Sequence, residues 1–256
     1  METIGLIAAM SSESDALLRY VKGGKRVSVS HWRGIRFHQG NRDCLLVTSG
    51  MGLKNAMGAT DALLLESKLD LLISFGIAGA VIDDLNIGDV VLCGKTCLLE
   101  KDRPGQVQQI AALSVNALNA ISKALTLVEA RLVTGTAITT RGAQVPPQRL
   151  EQMTHPVLDM ETAGISQIAS KAGIPLIAIR SISDGPKAPN PFDLEVIFDD
   201  NYKIRIGRVL VAILRRPQII LRFRHMVKNT WIAADHAARA VLAMINEASA
   251  IISLAS

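Results

Sequence analysis

Leu71-Leu72-Ile73-Ser74-Phe75-Gly76-Ile77-Ala78-Gly79 is the stretch whose reading settles the class of fold. Its first five residues form an apolar run too short for a helix and closed by glycine, so they read as a buried β-strand ending at the segment Gly76–Gly79. Working outward, similar short runs alternate with longer helical patterns. That alternation is the signature of βα units around a mostly parallel sheet. Upstream, Ile4–Ala9 reads as a first strand, and Ser12 with Asp15 as a capping pair opening a helix through Val21. Val27–Ser30, Ile35–His38 and Leu45–Thr48 read as a meander with turns at Arg33-Gly34 and Asn41-Arg42. Leu53–Leu69 reads as a helix. Downstream, strands are expected at Asp89–Cys93, Leu98–Leu99, Arg131–Gly135, Pro156–Met160 and Leu176–Ser183. Ile110–Leu127 and Glu161–Ala172 read as helices, the latter closed by Gly173. With no repeat and no low-complexity linker, one α/β domain over residues 1–256 is expected.

The last fifth of the chain has a different texture. Residues 201–234 hold eight Lys/Arg and no Asp or Glu, so the formal net charge of +5 is a basic tract on an otherwise acidic protein. A short amphipathic helix is expected at Tyr202–Leu214, and a long one from Pro217. In the long helix Ile220, Phe223, Val227, Trp231, Ala234, Ala238, Val241 and Ile245 recur at three- and four-residue steps. Residues 201–256 thus read as a basic, amphipathic helical extension of the same domain.

Composition narrows the classes. Apolar residues make up 49% and charged residues 20%, which excludes wholesale disorder. Glu2 stands where a secretory signal carries positive charge, and no apolar run nears the roughly 18 residues of a membrane span. Cys44, Cys93 and Cys97 are an odd set that suits reduced thiols, so a cytoplasmic location is expected. No zinc or other metal site is expected, since Cys93 and Cys97 lack further ligands at metal-binding spacing. Asp83-Asp84 and Asp199-Asp200 read as loop residues. Neither a Walker loop, a Gly-x-Ser-x-Gly elbow nor a dinucleotide fingerprint in its proper context occurs, so no cofactor is implied. With two Trp, two Tyr and five Phe, stacking platforms for nucleic acid are scarce.

Ligands of open α/β sheets bind beyond the carboxyl ends of strands. Asp184, Glu161 and Gly76–Gly79 each follow a strand, and Glu13 lies in the first turn after strand one, where the helix dipole favours its ionised form. Singly, each has a structural explanation. Asp184-Gly185-Pro186 suits a turn, and Glu13 and Glu161 suit helix starts.

In order along the chain stand Ile4-Gly5-Leu6-Ile7-Ala8-Ala9-Met10 with Glu13, then Ser49-Gly50-Met51-Gly52 and Gly76-Ile77-Ala78-Gly79. Ile87-Gly88-Asp89-Val90-Val91, Met160-Glu161 and Arg180-Ser181-Ile182-Ser183-Asp184 follow. This ordered set, over residues 1 to about 190, resembles the purine nucleoside phosphorylase/nucleosidase superfamily that includes methylthioadenosine/S-adenosylhomocysteine nucleosidases. The resemblance implies a three-layer α/β/α fold with a mixed central sheet and a homo-oligomer. It also implies cleavage of the N-glycosidic bond of an adenosine-type nucleoside. Asp184 would protonate the departing base, for which its pKa must rise above the usual ~3.9. Glu13 would polarise water, Glu161 would bind a ribose hydroxyl, Met160 would pack on the sugar and Ser183 would orient Asp184. Gly76, Ile77, Ala78 and Gly79 would line the substrate.

The family's phosphorylases present arginine to phosphate from the first loop. Met10–Ser14 offers none, which favours water, with phosphorolysis as the alternative. Ile77 stands where the nucleosidases have serine, and Thr136–Thr140, taken as a base-side loop, lacks an aromatic. The identity of the 5′ substituent stays open on both counts. The stretch from Gly207-Arg208-Val209-Leu210 to Leu214-Arg215-Arg216-Pro217 resembles the extension of hopanoid-associated phosphorylase-like proteins. That resemblance implies adenosylhopane as substrate and peripheral membrane association through 201–234. A helix packed on the core or on a partner subunit is the alternative. A basic nucleic-acid-binding protein is the non-enzyme rival.

Overall fold

The computed structural model describes residues 1–100, 103–104, 107–110, 115–140, 145, 150, 153–188 and 219–248. Its strands are β1 (Thr3–Ala8), β2 (Lys25–Val29), β3 (Trp32–Gln39), β4 (Arg42–Thr48), β5 (Leu71–Ala80), β6 (Val90–Glu100), β7 (Arg103–Pro104), β8 (Gln108–Gln109), β9 (Leu132–Thr140), β10 (Pro156–Asp159) and β11 (Leu176–Asp184). The helices are α1 (Ser11–Leu18), α2 (Leu53–Glu66), α3 (Val115–Thr126), α4 (Thr162–Ala172) and α5 (Ile219–Asn246).

The sheet is mixed, in the order β10-β9-β6-β11-β5-β1-β4-β3-β2, with β7 and β8 against β6. β1 runs parallel to β4 and β5, and β5 parallel to β11. β6 meets β11 antiparallel, and the meander β2-β3-β4 is antiparallel. β10 also pairs antiparallel with β5 through Val157–Ala80 and Leu158–Gly79. Five strands (β5, β11, β6, β9 and β10) therefore close into a ring around the far half of β5.

The three layers follow from alternation along the strands. Ile4, Leu6, Ile73, Phe75 and Ile179 face α1, α3 and α5, joining Leu17, Ile121 and Val241 in one cluster. Ile7, Val47, Leu72 and Ala178 face the other way, onto Ala56, Leu63, Ile165 and Ala169 of α2 and α4. Gly173, at φ +67°, closes α4 as expected.

Several expected boundaries move. β5 does not stop at Phe75 but runs through the glycine segment to Ala80, because β11 and β10 supply partners on both sides of it. β6 is one strand rather than two, carried past Gly94 by a register shift against β9. Thr136–Thr140 is not a loop: it is the second half of β9, paired with β6 and β10. The hairpin turn expected at Arg33-Gly34 lies earlier, between β2 and β3.

The long C-terminal helix is core over its second half. Ala233, Ala237, Ala238, Ala240, Val241, Met244 and Ile245 are all fully buried. The small side chains let the helix lie close on the sheet. The predicted stripe loses its cover before that: Trp231 is 58% and Val227 39% exposed. The expected helix at Tyr202–Leu214, Pro217 and the cations Lys203, Arg205, Arg208, Arg215 and Arg216 lie outside the described residues. No helix among the described residues is long and apolar enough to cross a membrane.

His236 ties α5 to the sheet by donating from Nδ1 to the Gly88 carbonyl at 2.8 Å. Gly88 has φ +87°, and a Cβ there would lie 2.7 Å from that ring nitrogen. Gly88→Ala should therefore destabilise the protein by about 2–3 kcal/mol, combining left-handed strain with overpacking. Urea unfolding of the single variant and of Gly88→Ala in a His236→Ala background checks this. The second cost should be the smaller, since only the backbone strain and the contact with the Ile232 side chain, 3.1 Å from the added Cβ, remain.

Candidate active site

Glu13 is the third residue of α1 and 3% exposed. Its Oε2 accepts the N–H groups of Ala9 (2.9 Å) and Met10 (2.8 Å), while Oε1 accepts that of Ile77 (2.9 Å). Glu13 thus caps its own helix from Met10, displacing the expected Ser12–Asp15 pair, and bridges α1 to β5. Gly76 makes this approach feasible, because a Cβ at that position would run into the Glu13 carboxylate. Burial pushes the Glu13 pKa up, against the opposing pull of the three N–H groups and the Arg180 charge. Burial thus opposes the helix-start position and the N–H donors, which favour the ionised form of Glu13.

Glu161 is the N-cap residue of α4. Oε1 accepts the Gly52 N–H at 2.8 Å and Oε2 the Met160 N–H at 3.2 Å. Gly50 and Gly52 lie at φ +81° and +97°, which turns the Ser49–Gly52 backbone toward the carboxylate. Burial, then the neighbouring Asp159 charge, raises the Glu161 pKa to about 8.

Glu13, Glu161, Gly76 and Ile77 line one cleft, together with Arg180 and Ser74. Arg180 was part of a quoted motif but was given no role from sequence. It is buried in β11 and paired with Asp159 at 2.9 Å. Asp159 was missed altogether. The signals were an arginine inside the apolar run Leu176–Ser183 and an aspartate ending an apolar strand, since buried charges come paired.

Asp184 is not in that cleft. It ends β11 in register with Gly79, where a Cβ on Gly79 would stand 3.1 Å from Asp184 Oδ2. Gly76 and Gly79 are three residues apart, so about 10 Å of β5 separates the Glu13 and Asp184 ends. Ser183 Oγ donates to Asp184 Oδ1 at 2.6 Å, the orienting bond expected of it. Burial raises the Asp184 pKa despite that bond. Ala78 is buried in the α2–α4 cluster and presents its carbonyl to Ser183 Oγ (3.4 Å). Met160 meets the site through its N–H to Glu161. Asp89 of the Ile87–Val91 motif is structural, holding Arg131 at 3.0 Å and the Asn86 N–H at 2.9 Å. Cys44, Cys93 and Cys97 are buried, and none of them forms a disulfide. Among the described residues no cluster of His, Cys, Asp or Glu could hold a metal ion.

A raised folded-state pKa has a definite sign in stability. As pH rises through the ordinary Glu range, ~4.3, the unfolded chain ionises Glu161 while the fold keeps it protonated, so the wild type loses stability until about 8 and not beyond. The stability of Glu161→Gln relative to wild type should accordingly climb across that window and then level off. Urea midpoints from pH 5 to pH 9 check the slope, whatever the constant offset from altered hydrogen bonds.

The sequence profile of the Phosphorylase superfamily matches residues 3–215. A 5′-methylthioadenosine/S-adenosylhomocysteine nucleosidase of Shewanella halifaxensis is 29% identical over 235 residues, 83% of this chain and 99% of that protein. The nucleosidase of the same name from Neisseria meningitidis, solved with methylthio-immucillin-A, superposes with TM-score 0.68 at 20% identity, covering 96% of this chain and 100% of its own. The futalosine hydrolase of Helicobacter pylori superposes with TM-score 0.68 at 14% identity, covering 96% and 98%. These likenesses agree with the mixed three-layer sheet and with the ordered motifs along the chain. The chain belongs to the Phosphorylase superfamily.

Proposed function

We propose that this protein is a nucleosidase that hydrolyses the N-glycosidic bond of an adenosine-type nucleoside. One observation carries the reading: two buried carboxylates, Glu13 and Glu161, share a cleft whose floor is β5, and a third acid, Asp184, lies farther along the same strand pair. A purine leaves poorly as an anion. Asp184, its pKa raised by burial and its carboxyl oriented by Ser183, would give a proton to the base as the bond breaks. Glu161, fixed by Gly52 and Met160, would hold a ribose hydroxyl. Glu13, locked by three N–H groups but with its pKa raised by burial, would take a proton from the attacking water. No arginine lies in Met10–Ser14 to hold phosphate, which favours water over phosphorolysis. The nucleosidase and hydrolase names of the relatives support the same reaction class.

Two 5′ substituents fit. Small thioethers suit the relatives' named substrates. An apolar lipid, as in adenosylhopane, suits the surface of α5. There Val227 and Trp231 are exposed beside exposed Arg224 and Lys228, and the Arg19 guanidinium sits 4.7 Å above the Trp231 ring. Such an apolar and cationic face matches an anionic membrane surface, and we place the protein in the cytoplasm at that surface.

Purified protein incubated with methylthioadenosine, S-adenosylhomocysteine, 5′-alkyl adenosines and inosine should release free base without phosphate. Asp184→Asn should lower kcat by 10²-fold or more, on the order of a lost general acid. Strict phosphate dependence would make the protein a phosphorylase, and no release from any substrate would reject the reaction. Vesicles with anionic lipid should co-sediment the protein in a salt-sensitive way, and Trp231→Ala should weaken this. Equal recovery with zwitterionic vesicles would reject recognition of anionic lipid, and no co-sedimentation with either would reject the membrane-facing role.

A further inference from the structure

We propose that Asp159 is a positioning residue of this cleft: its carboxylate fixes the Arg180 guanidinium as a buried cation beside Glu161 and Glu13. The proposal deepens the nucleosidase reading and rests on it for its kinetic consequence alone.

Arg180 sits in a strand whose other residues up to Ser183 are apolar or small, with 2% of its surface exposed. A guanidinium placed there is tolerated only if its charge and its N–H groups are met. Nε donates to Asp159 Oδ2 at 2.9 Å, and Nη1 to the Ile179 carbonyl at 2.9 Å. Nη2 donates to Ser74 Oγ at 2.8 Å and to Thr162 Oγ1 at 2.6 Å. Four of the five N–H groups of an arginine are thereby committed.

Asp159 is held as firmly from its other side. Thr139 Oγ1 donates to Oδ1 at 2.6 Å, and Oδ2 takes the Thr162 N–H at 3.1 Å and the Thr162 hydroxyl. The two threonines are themselves pinned. Thr139 Oγ1 accepts the Ala163 N–H at 2.9 Å, and Thr162 Oγ1 accepts from Arg180. The donor and acceptor directions therefore run one way through the network, with the Asp159 carboxylate as its only anion. Ser74 of β5, Thr139 of β9, Asp159 of β10, Thr162 of α4 and Arg180 of β11 are joined by it. Of these elements β5, α4 and β11 contribute residues to the cleft lining, through Ser74, Ile165 and Arg180.

The titratable groups nearby are Glu161 at the start of α4, Glu13 on α1, and the thiol of Cys93 on β6, which burial keeps neutral by pushing its pKa up to about 12. Without Asp159, Arg180 would be the sole cation facing two carboxylates and free to turn onto either. With Asp159 in place, the cation is satisfied sideways, and Glu161 and Glu13 keep the backbone N–H partners that aim them. The Asp159 charge also holds the Glu161 pKa up, after burial itself.

The test uses the whole protein and a readout that needs no substrate. In protein carrying ¹³C-labelled glutamate side chains, the Glu161 carboxyl resonance is assigned by its loss in Glu161→Gln and titrated in wild type and in Asp159→Asn. The expected result is a downward shift of its midpoint by about one unit or more, because a like charge is removed and Arg180 is released toward it. In parallel, kcat should fall about 10²-fold with KM changed little, as for misaligned catalytic groups. Asp159→Glu, which keeps the charge, should recover part of that loss.

A folded Asp159→Asn with an unmoved Glu161 midpoint and near-wild-type kcat overturns the proposal. If Asp159→Asn does not fold, Arg180→Gln is compared with Arg180→Gln/Asp159→Asn, which carries no uncompensated buried charge. Equal kcat in those two supports action through Arg180, and a further drop overturns it. A shifted midpoint in a protein whose wild type releases no base would reject the nucleosidase reading and leave the Asp159–Arg180–Glu161 coupling standing.

Discussion

The contact between the Glu13 carboxylate and the backbone of β5 sets the constraint that the rest of the site obeys. A carboxylate buried this deeply is tenable only with hydrogen-bond donors on both oxygens. Ala9 and Met10 supply one side, and Ile77 supplies the other. That geometry fixes where β1 ends, how α1 leaves the sheet and how close α1 stands to β5. It also dictates glycine at position 76, where any side chain would occupy the space of the carboxylate.

A second consequence is electrostatic. Glu13, Glu161 and Asp159 converge on a region with one buried cation, Arg180. Three acids in so small a volume cannot all ionise cheaply, and the raised pKa values of Glu13 and Glu161 are how the fold accommodates them. Asp159 takes the direct ion pair, which leaves the two cleft carboxylates to backbone donors. Asp184, apart from this cluster, has its pKa raised by burial alone, with Ser183 opposing. Glu13 and Asp184 meet the same strand, β5, three residues apart, at Gly76 and at Gly79.

The layers and most elements were legible in the sequence, because alternating apolar runs and helical stripes report burial directly. What was not legible depended on partners distant along the chain. Gly76–Gly79 reads as the end of a strand, yet β10 and β11 flank it and extend the strand to Ala80. Thr136–Thr140 has no apolar alternation to mark it as strand, and Thr139 spends its hydroxyl on Asp159 and α4. The long stripe on α5 was periodic throughout, but the sheet and neighbouring helices cover it only from Ala233 onward. Glu13, Glu161 and Ser183 were found as isolated motif residues and do meet their partners. Asp159 and its role beside Arg180 needed the three-dimensional arrangement, because 21 residues separate the pair.

The most direct measurement is a single-turnover reaction on an adenosine-type nucleoside in H₂¹⁸O, with the released sugar examined by mass spectrometry. The account predicts one ¹⁸O atom in the sugar, at the anomeric carbon, appearing at the rate of base release and unaffected by added phosphate. Base release that yields an unlabelled sugar phosphate would contradict water activation at Glu13, and with it the hydrolytic reading of the cleft.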